Sequence, residues 1–143
     1  FDTAAGDVSP EFFEQHLLSD LTQLFGKKVG YYLKGGTLNH YKAIEETLCC
    51  SPVAGFGYDY PHDICERLKN SKKGFVQGNF NQNHLTLDAK EFRTELDLWM
   101  SKLSKLSQAE RSGWICGLGH GITPQAKEEN VRTFVQEIRK TFR

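Results

Sequence analysis

Apolar positions along this chain pass from short runs to helical spacing and back several times, a pattern that predicts strands alternating with helices. Ser9 is placed to cap a helix that has Pro10 at its first position, Phe13, Leu17, Leu21, Leu24 and Phe25 on one face, and Gly26 at its end. Val29-Gly30-Tyr31-Tyr32-Leu33 reads as a buried strand. Gly35-Gly36 then leads to a Thr37 cap and a helix with Tyr41, Ile44 and Leu48 inward, broken by Ser51-Pro52. The unit recurs with Val53-Ala54-Gly55-Phe56-Gly57, a Tyr58-Asp59-Tyr60 loop, and a short helix from about Pro61 carrying Ile64 and Leu68. A third strand, Gly74-Phe75-Val76-Gln77, ends in Gly78-Asn79. The long helix after it opens on Asp88 and Glu91 in capping-box spacing, with Phe92, Leu96, Trp99 and Leu103 as its stripe. Trp114-Ile115-Cys116-Gly117-Leu118 is the fourth strand and runs into Gly119-His120-Gly121. Thr123 and Pro124 are expected to open a last helix with Val131, Phe134, Val135, Ile138 and Phe142 inward.

Strands alternating with helices imply an α/β fold of parallel strands joined by right-handed crossovers, in an open doubly wound sheet or a barrel. No G-x-G-x-x-G fingerprint opens the first unit, which weakens the dinucleotide-binding version. A (βα)8 barrel needs about 250 residues. Four βα units and a leading stub make half of one.

Composition narrows the partners. The 143 residues are 38% hydrophobic and 25% charged, as in a soluble globular chain of one domain. Eighteen basic residues balance eighteen acidic ones, for a pI near 7.1, so no global field favours nucleic acid or an anionic membrane. The clusters Lys72-Lys73 and Arg139-Lys140 read as solvated surface. With no apolar run of membrane length and no signal-peptide layout, a cytoplasmic protein with reduced thiols is the expectation. Cys49, Cys50, Cys65 and Cys116 show no metal-type spacing, and Cys49, Cys50 and Cys116 read as buried small hydrophobes. The chain opens on Phe1 and has one methionine, Met100, so it is expected to be processed or a fragment.

In a barrel, reactive groups sit where strands end and strand-to-helix loops begin. Those loops hold Asp2 and Thr3, Lys34-Gly35-Gly36, Tyr58-Asp59-Tyr60, Gln77-Gly78-Asn79 and Gly117-Leu118-Gly119-His120-Gly121. His120, between glycines, can donate to a carboxylate or exchange a proton, or can simply ride a glycine turn. Asp59 suits a general base, a metal ligand or a cap of the local turn. The Thr3 hydroxyl can bind a substrate oxygen or the nearby backbone. Gly78 permits close approach by a ligand or by another stretch of backbone. His16, His40, His62 and His84 share no ligand spacing and read as solvated.

Four motifs in order, F-D-T-A-A-G at 1–6, G-Y-D-Y at 57–60, V-Q-G-N at 76–79 and L-G-H-G-I-T-P at 118–124 followed by E-N-V at 129–131, resemble uroporphyrinogen decarboxylase. The similarity covers essentially the whole chain, 1–143, and corresponds to the C-terminal half of that family's TIM barrel. Where many members read G-L-D-W, this chain has Gly57-Tyr58-Asp59-Tyr60. Phe80-Asn81-Gln82 stands where L-D-P is common.

The resemblance implies a homodimeric barrel without metal or organic cofactor. Such a barrel converts uroporphyrinogen, a tetrapyrrole, to coproporphyrinogen in porphyrin and heme synthesis, releasing four acetate carboxyl groups as carbon dioxide. It further implies substrate contacts at Thr3, in a position where many relatives carry serine, and at His120, which meets a substrate carboxylate. The aspartate that stabilises a protonated pyrrole and the carboxylate-binding arginines belong to segments outside this chain, so no catalytic residue is expected within it. The fragment alone is expected to be inactive and to self-associate or pair with the missing half. Two other readings are a corrinoid-type zinc methyltransferase, which requires a His-x-Cys pair absent here, and a noncatalytic half-barrel.

Overall fold

The computed structural model describes residues 2–23, 29–47, 54–71 and 74–142. Phe1, Leu24, Phe25, Gly26, Leu48, Cys49, Cys50, Ser51, Pro52, Val53, Lys72 and Lys73 lie outside the described residues, and with them the expected end of the first helix and break of the second.

Four strands, β1 (Gly30–Tyr32), β2 (Gly55–Gly57), β3 (Phe75–Gln77) and β4 (Trp114–Ile115), form one parallel sheet in chain order β1-β2-β3-β4. Strand order that never reverses is the wall of a singly wound barrel, whereas a doubly wound sheet turns back at a switch point. A parallel bridge from Asp2 to Leu33 sets the leading stub beside β1, and a bridge from Phe80 to Leu118 carries the β3–β4 pairing into the loops. The chain thus forms half of a (βα)8 barrel.

The helices are α1 (Pro10–Phe12), α2 (Leu18–Thr22), α3 (Leu38–Thr47), α4 (Ile64–Asn70), α5 (Ala89–Ser104) and α6 (Glu128–Thr141). Capping works as the residue types dictate. Ser9 accepts the Phe12 N–H ahead of Pro10, and Asp88 accepts the Lys90 and Glu91 N–H groups that the first turn of α5 leaves unpaired. At the other end of α5, Arg111 donates to the Leu103 and Leu106 carbonyls.

Three expectations about helices need correction. A π-helical turn, Phe13–Leu17, separates α1 from α2 and shifts the inward face by one residue, so Phe13 and Leu18, five apart, are buried while Leu17 and Leu21 are only partly so. Thr123 and Pro124 form a separate turn, closed by Ala126 N–H to the Thr123 carbonyl, and α6 starts at Glu128 after Lys127 N–H docks on the Leu85 carbonyl. Val135 sits about 100° around α6 from buried Phe134 and is exposed, against its expected inward place.

The two faces of the sheet differ. Register aligns Tyr31, Phe56, Val76 and Trp114 on one face, where they pack with Tyr41, Ile44 and Leu68 of the helices. One residue on, Tyr32, Gly57, Gln77 and Ile115 align on the opposite face, the barrel lumen. A second core, with Phe80, Leu85, Phe92, Leu96, Met100 and Phe134, lies between α5 and α6.

Candidate functional site

The C-terminal ends of the strands gather the loops expected to carry function, and each loop is anchored by a specific bond. Asp2 is fixed beside β1 by its N–H to the Tyr32 carbonyl and by Lys34 N–H to its own carbonyl. Its carboxylate accepts the Ala4 and Ala5 N–H groups and the Tyr31 hydroxyl, at 2.8 Å. Burial alone would raise this carboxyl group, but the bonds from Ala5, Tyr31 and Ala4 outweigh it and hold the pKa below the ordinary value. Because Asp2 satisfies the local backbone, the adjacent Thr3 is left exposed, and its hydroxyl has no hydrogen-bond partner among the described residues.

The β2 loop is clamped from within. Asp59, 6% exposed, accepts the Tyr60 N–H at 2.8 Å and, across to the β1 loop, the Gly35 N–H at 3.3 Å. That is the capping reading of Asp59, extended to a neighbouring loop. Asn79, also buried, donates to the Asp59 and His62 carbonyls at 2.9 and 2.6 Å and ties the β3 loop to the β2 loop. Gly78 has φ of 123°, and a Cβ there would stand 2.7 Å from the Tyr58 carbonyl, so its glycine serves backbone packing.

His120 is half-buried on the loop after β4. The Tyr32 hydroxyl lies 2.8 Å from the Gly119 carbonyl and 3.1 Å from His120 Nδ1, with the two rings nearly parallel, 13° apart at 6.4 Å between centroids. Tyr32 extends over Gly57, where a Cβ would come within 3.1 Å of the tyrosine ring. Gly119 packs on the Tyr60 backbone nitrogen so closely that a Cβ would clash with it, and its N–H donates to the Phe80 carbonyl. Three loops and one strand therefore fix the histidine. His120 Nε2 has no hydrogen-bond partner among the described residues, and no hydrogen bond there joins Thr3 to His120.

Three of the histidines expected to be solvated are not. His40 is buried at the start of α3. Its Nδ1 accepts the Thr37 N–H, and its Nε2 lies 3.1 Å from the Val8 carbonyl. His62 is half-buried and donates Nε2–H to the Gly36 carbonyl at 2.7 Å, and burial lowers its pKa. His84 packs edge-on to Phe80 with Nδ1 3.7 Å from Glu95. His16 is exposed, as expected.

Cys65 and Cys116 are free thiols, and burial pushes Cys116 up to about 12, which suits the packing role. Among the described residues, no group of three His, Cys, Asp or Glu side chains is gathered to hold a metal ion. A cleft of about 340 Å³ opens between α4 and α5, lined by Cys65, His84, Glu95 and Trp99 and, from the mouth loops, by Tyr60 and Asn79; His120 is not among its lining residues. Sequence reasoning missed Tyr32 and gave Asn79, which it placed among the mouth loops, no role of its own. Both sit at strand ends, where a polar atom facing the mouth is the signal that would have singled them out.

The model of the uroporphyrinogen decarboxylase family matches residues 1–141. The chain is 30% identical to a uroporphyrinogen decarboxylase of Orientia tsutsugamushi (strain Ikeda), with 97% of the chain and 40% of the relative aligned. It is 27% identical to those of Pseudomonas fluorescens, at 96% and 39% coverage, and Schizosaccharomyces pombe, at 96% and 40%. It spans about 40% of the length of these curated relatives. A half-barrel with strands in chain order, carrying its histidine at the mouth and matched by the family model over nearly every residue, belongs to the uroporphyrinogen decarboxylase family.

Proposed function

We propose that residues 1–143 supply the C-terminal half of a uroporphyrinogen decarboxylase barrel, with Thr3 and His120 as its substrate-binding groups. The observation that carries this reading is the pairing of the family match with a half-exposed histidine ring at the strand ends, held on one nitrogen and open on the other. In the net reaction each acetate arm exchanges its carboxyl group, released as carbon dioxide, for a proton and becomes a methyl group. Protonation of the electron-rich pyrrole leaves a cation that a nearby carboxylate stabilises. Asp2 and Asp59, the acidic residues nearest the strand ends, are both occupied by backbone N–H groups, and Asp63 caps α4. We therefore assign the stabilising carboxylate to the other half of the barrel, together with the arginines for the remaining substrate carboxylates. Thr3 offers a hydroxyl that is unpartnered among the described residues, and His120 offers Nε2 to a substrate carboxylate.

The open lumen supports a need for a covering partner. Ile115, on the lumen face, is 46% exposed, and Ile122 beyond it is 55% exposed. The complementary half of the barrel is the occupant we assign to that face, with dimerisation of the completed barrel. No described helix is long and apolar enough to cross a membrane, and two free thiols suit a reducing cytoplasm.

An anaerobic assay with uroporphyrinogen III tests the reading, with porphyrin products separated after oxidation. The expected result is no turnover by this chain alone and stepwise loss of four carboxyl groups when it is part of a complete barrel. Turnover by the chain alone would overturn the division of labour, and a complete barrel that leaves uroporphyrinogen untouched would overturn the substrate.

A further inference from the structure

The hydroxyl of Tyr32 lies 2.8 Å from the Gly119 carbonyl oxygen and 3.1 Å from His120 Nδ1. A tyrosine hydroxyl has one proton to give, and a carbonyl oxygen can only accept. Burial and the charge of Asp59 push the Tyr32 hydroxyl up to about 12, so it retains that proton throughout the neutral range. Both contacts are satisfied together in one way: the hydroxyl donates to Gly119 and accepts from Nδ1–H of His120. The imidazole that results carries its proton on the strand side, and its Nε2 is a bare lone pair when the ring is neutral.

We propose that Tyr32 is a positioning residue that locks His120 in the Nδ1–H form, so that a carboxylate can be held at Nε2 only when the ring takes up a proton. The tautomer follows from the geometry alone. Its consequence for substrate rests on the proposed function, in which His120 meets a substrate carboxylate. A neutral ring locked this way presents lone pair to anion, and uptake of one proton converts repulsion into a charge-assisted hydrogen bond. The titratable groups facing this corner are Tyr32 on β1, Asp59 on the β2 loop and Tyr60 behind Gly119. The β3 loop meets Gly119 through Phe80 and, from Gly78 to Phe80, brings no titratable side chain. Of these groups, Tyr32 alone is hydrogen-bonded to the imidazole among the described residues.

The test combines nitrogen NMR with kinetics on the complete barrel that contains this chain. With histidine labelled by ¹⁵N, neutral His120 should show its proton on Nδ1 and an unprotonated Nε2, and Tyr32→Phe should move population to the Nε2–H form. With uroporphyrinogen as the probe, wild-type KM should rise with pH, up to tenfold per pH unit once the ring is neutral. In Tyr32→Phe that slope should flatten while kcat is unchanged, because the freed ring can donate Nε2–H without taking up a proton. A merely structural tyrosine would alter stability and leave the pH slope of KM alone. A wild-type proton on Nε2, or a tautomer indifferent to Tyr32→Phe, overturns the proposal, and the wild-type spectrum decides it even if the variant does not fold. The lock with a KM that has no pH slope overturns the proton-uptake step. The lock with no turnover of uroporphyrinogen overturns the proposed substrate and leaves the tautomer standing.

Discussion

On the outward face of the sheet Tyr31, Phe56, Val76 and Trp114 stand in register against helices. One residue along each strand, Tyr32, Gly57, Gln77 and Ile115 stand in register toward the lumen. The outward row is aromatic or branched, and Tyr31 and Val76 are 7% and 3% exposed. The lumen row has a glycine, an amide, a hydroxyl and an isoleucine that is nearly half exposed. Apolar burial is the main favourable contribution to folding, so the outward row holds this half-barrel together. The lumen row is left with side chains chosen by reach. Gly57 has no side chain, which lets Tyr32 cross β2 toward Gly119 and His120.

The division is broken most directly by exchanging damage between the rows. Leu33 continues the outward row and is fully buried, so Leu33→Ala should cost about 3 kcal/mol, read as a lower denaturation midpoint at unchanged slope. Ile115→Ala should cost under about 1 kcal/mol in this chain and more once the lumen is covered. Equal losses for Leu33 and Ile115 in the chain alone would mean that the lumen face is already packed. Next in size is Asn79→Ala, which removes one donor from each of two mouth carbonyls, leaving that of Asp59 with the His62 N–H, and should cost about 2 kcal/mol. His120→Ala should leave stability within about 0.5 kcal/mol and raise KM for uroporphyrinogen about tenfold in the complete barrel, as loss of one charge-assisted bond implies. Unchanged kinetics would remove His120 from the binding site.

What the sequence discloses follows the same division. The stripe Phe92, Leu96 and Leu103, the caps at Ser9 and Asp88, and the strands themselves are written in local periodicity and appear where the pattern puts them. Local signals mislead where a partner distant in sequence decides the outcome. His40 is buried because its Nε2 finds the Val8 carbonyl, 32 residues away. Thr123-Pro124 carries a helix-start signature, yet the chain must first dock Lys127 on Leu85, and the helix waits for Glu128. The π-helical turn at Phe13–Leu17 is likewise absent from a reading that assumes 3.6 residues per turn. At the candidate site, the proposed groups His120 and Thr3 are singled out by motif order. Tyr32 is hidden because its partner lies 88 residues on, across two intervening strands.

The smallest expected effect separates the clamp under the mouth from the proposed binding group above it. His62 is held neutral, its pKa lowered from 6.5 by burial while its Nε2–H serves the Gly36 carbonyl. The unfolded chain therefore binds a proton that the folded chain refuses as pH falls below 6.5, and stability declines from there down to the folded-state pKa. A glutamine keeps an N–H near Nε2 and does not titrate, so His62→Gln should match wild type near pH 8 and lose less stability as pH falls below 6.5. Asp2 falls in a separate window. Its depressed carboxyl pKa contributes stability above 3.8 that is lost as pH drops through the lower folded value. Denaturant melts across pH distinguish the two. A difference between His62→Gln and wild type that is constant with pH would show that His62 acts through packing alone. A difference confined to pH below 6.5 would make the clamp under the mouth proton-sensitive, apart from any proton taken up at His120.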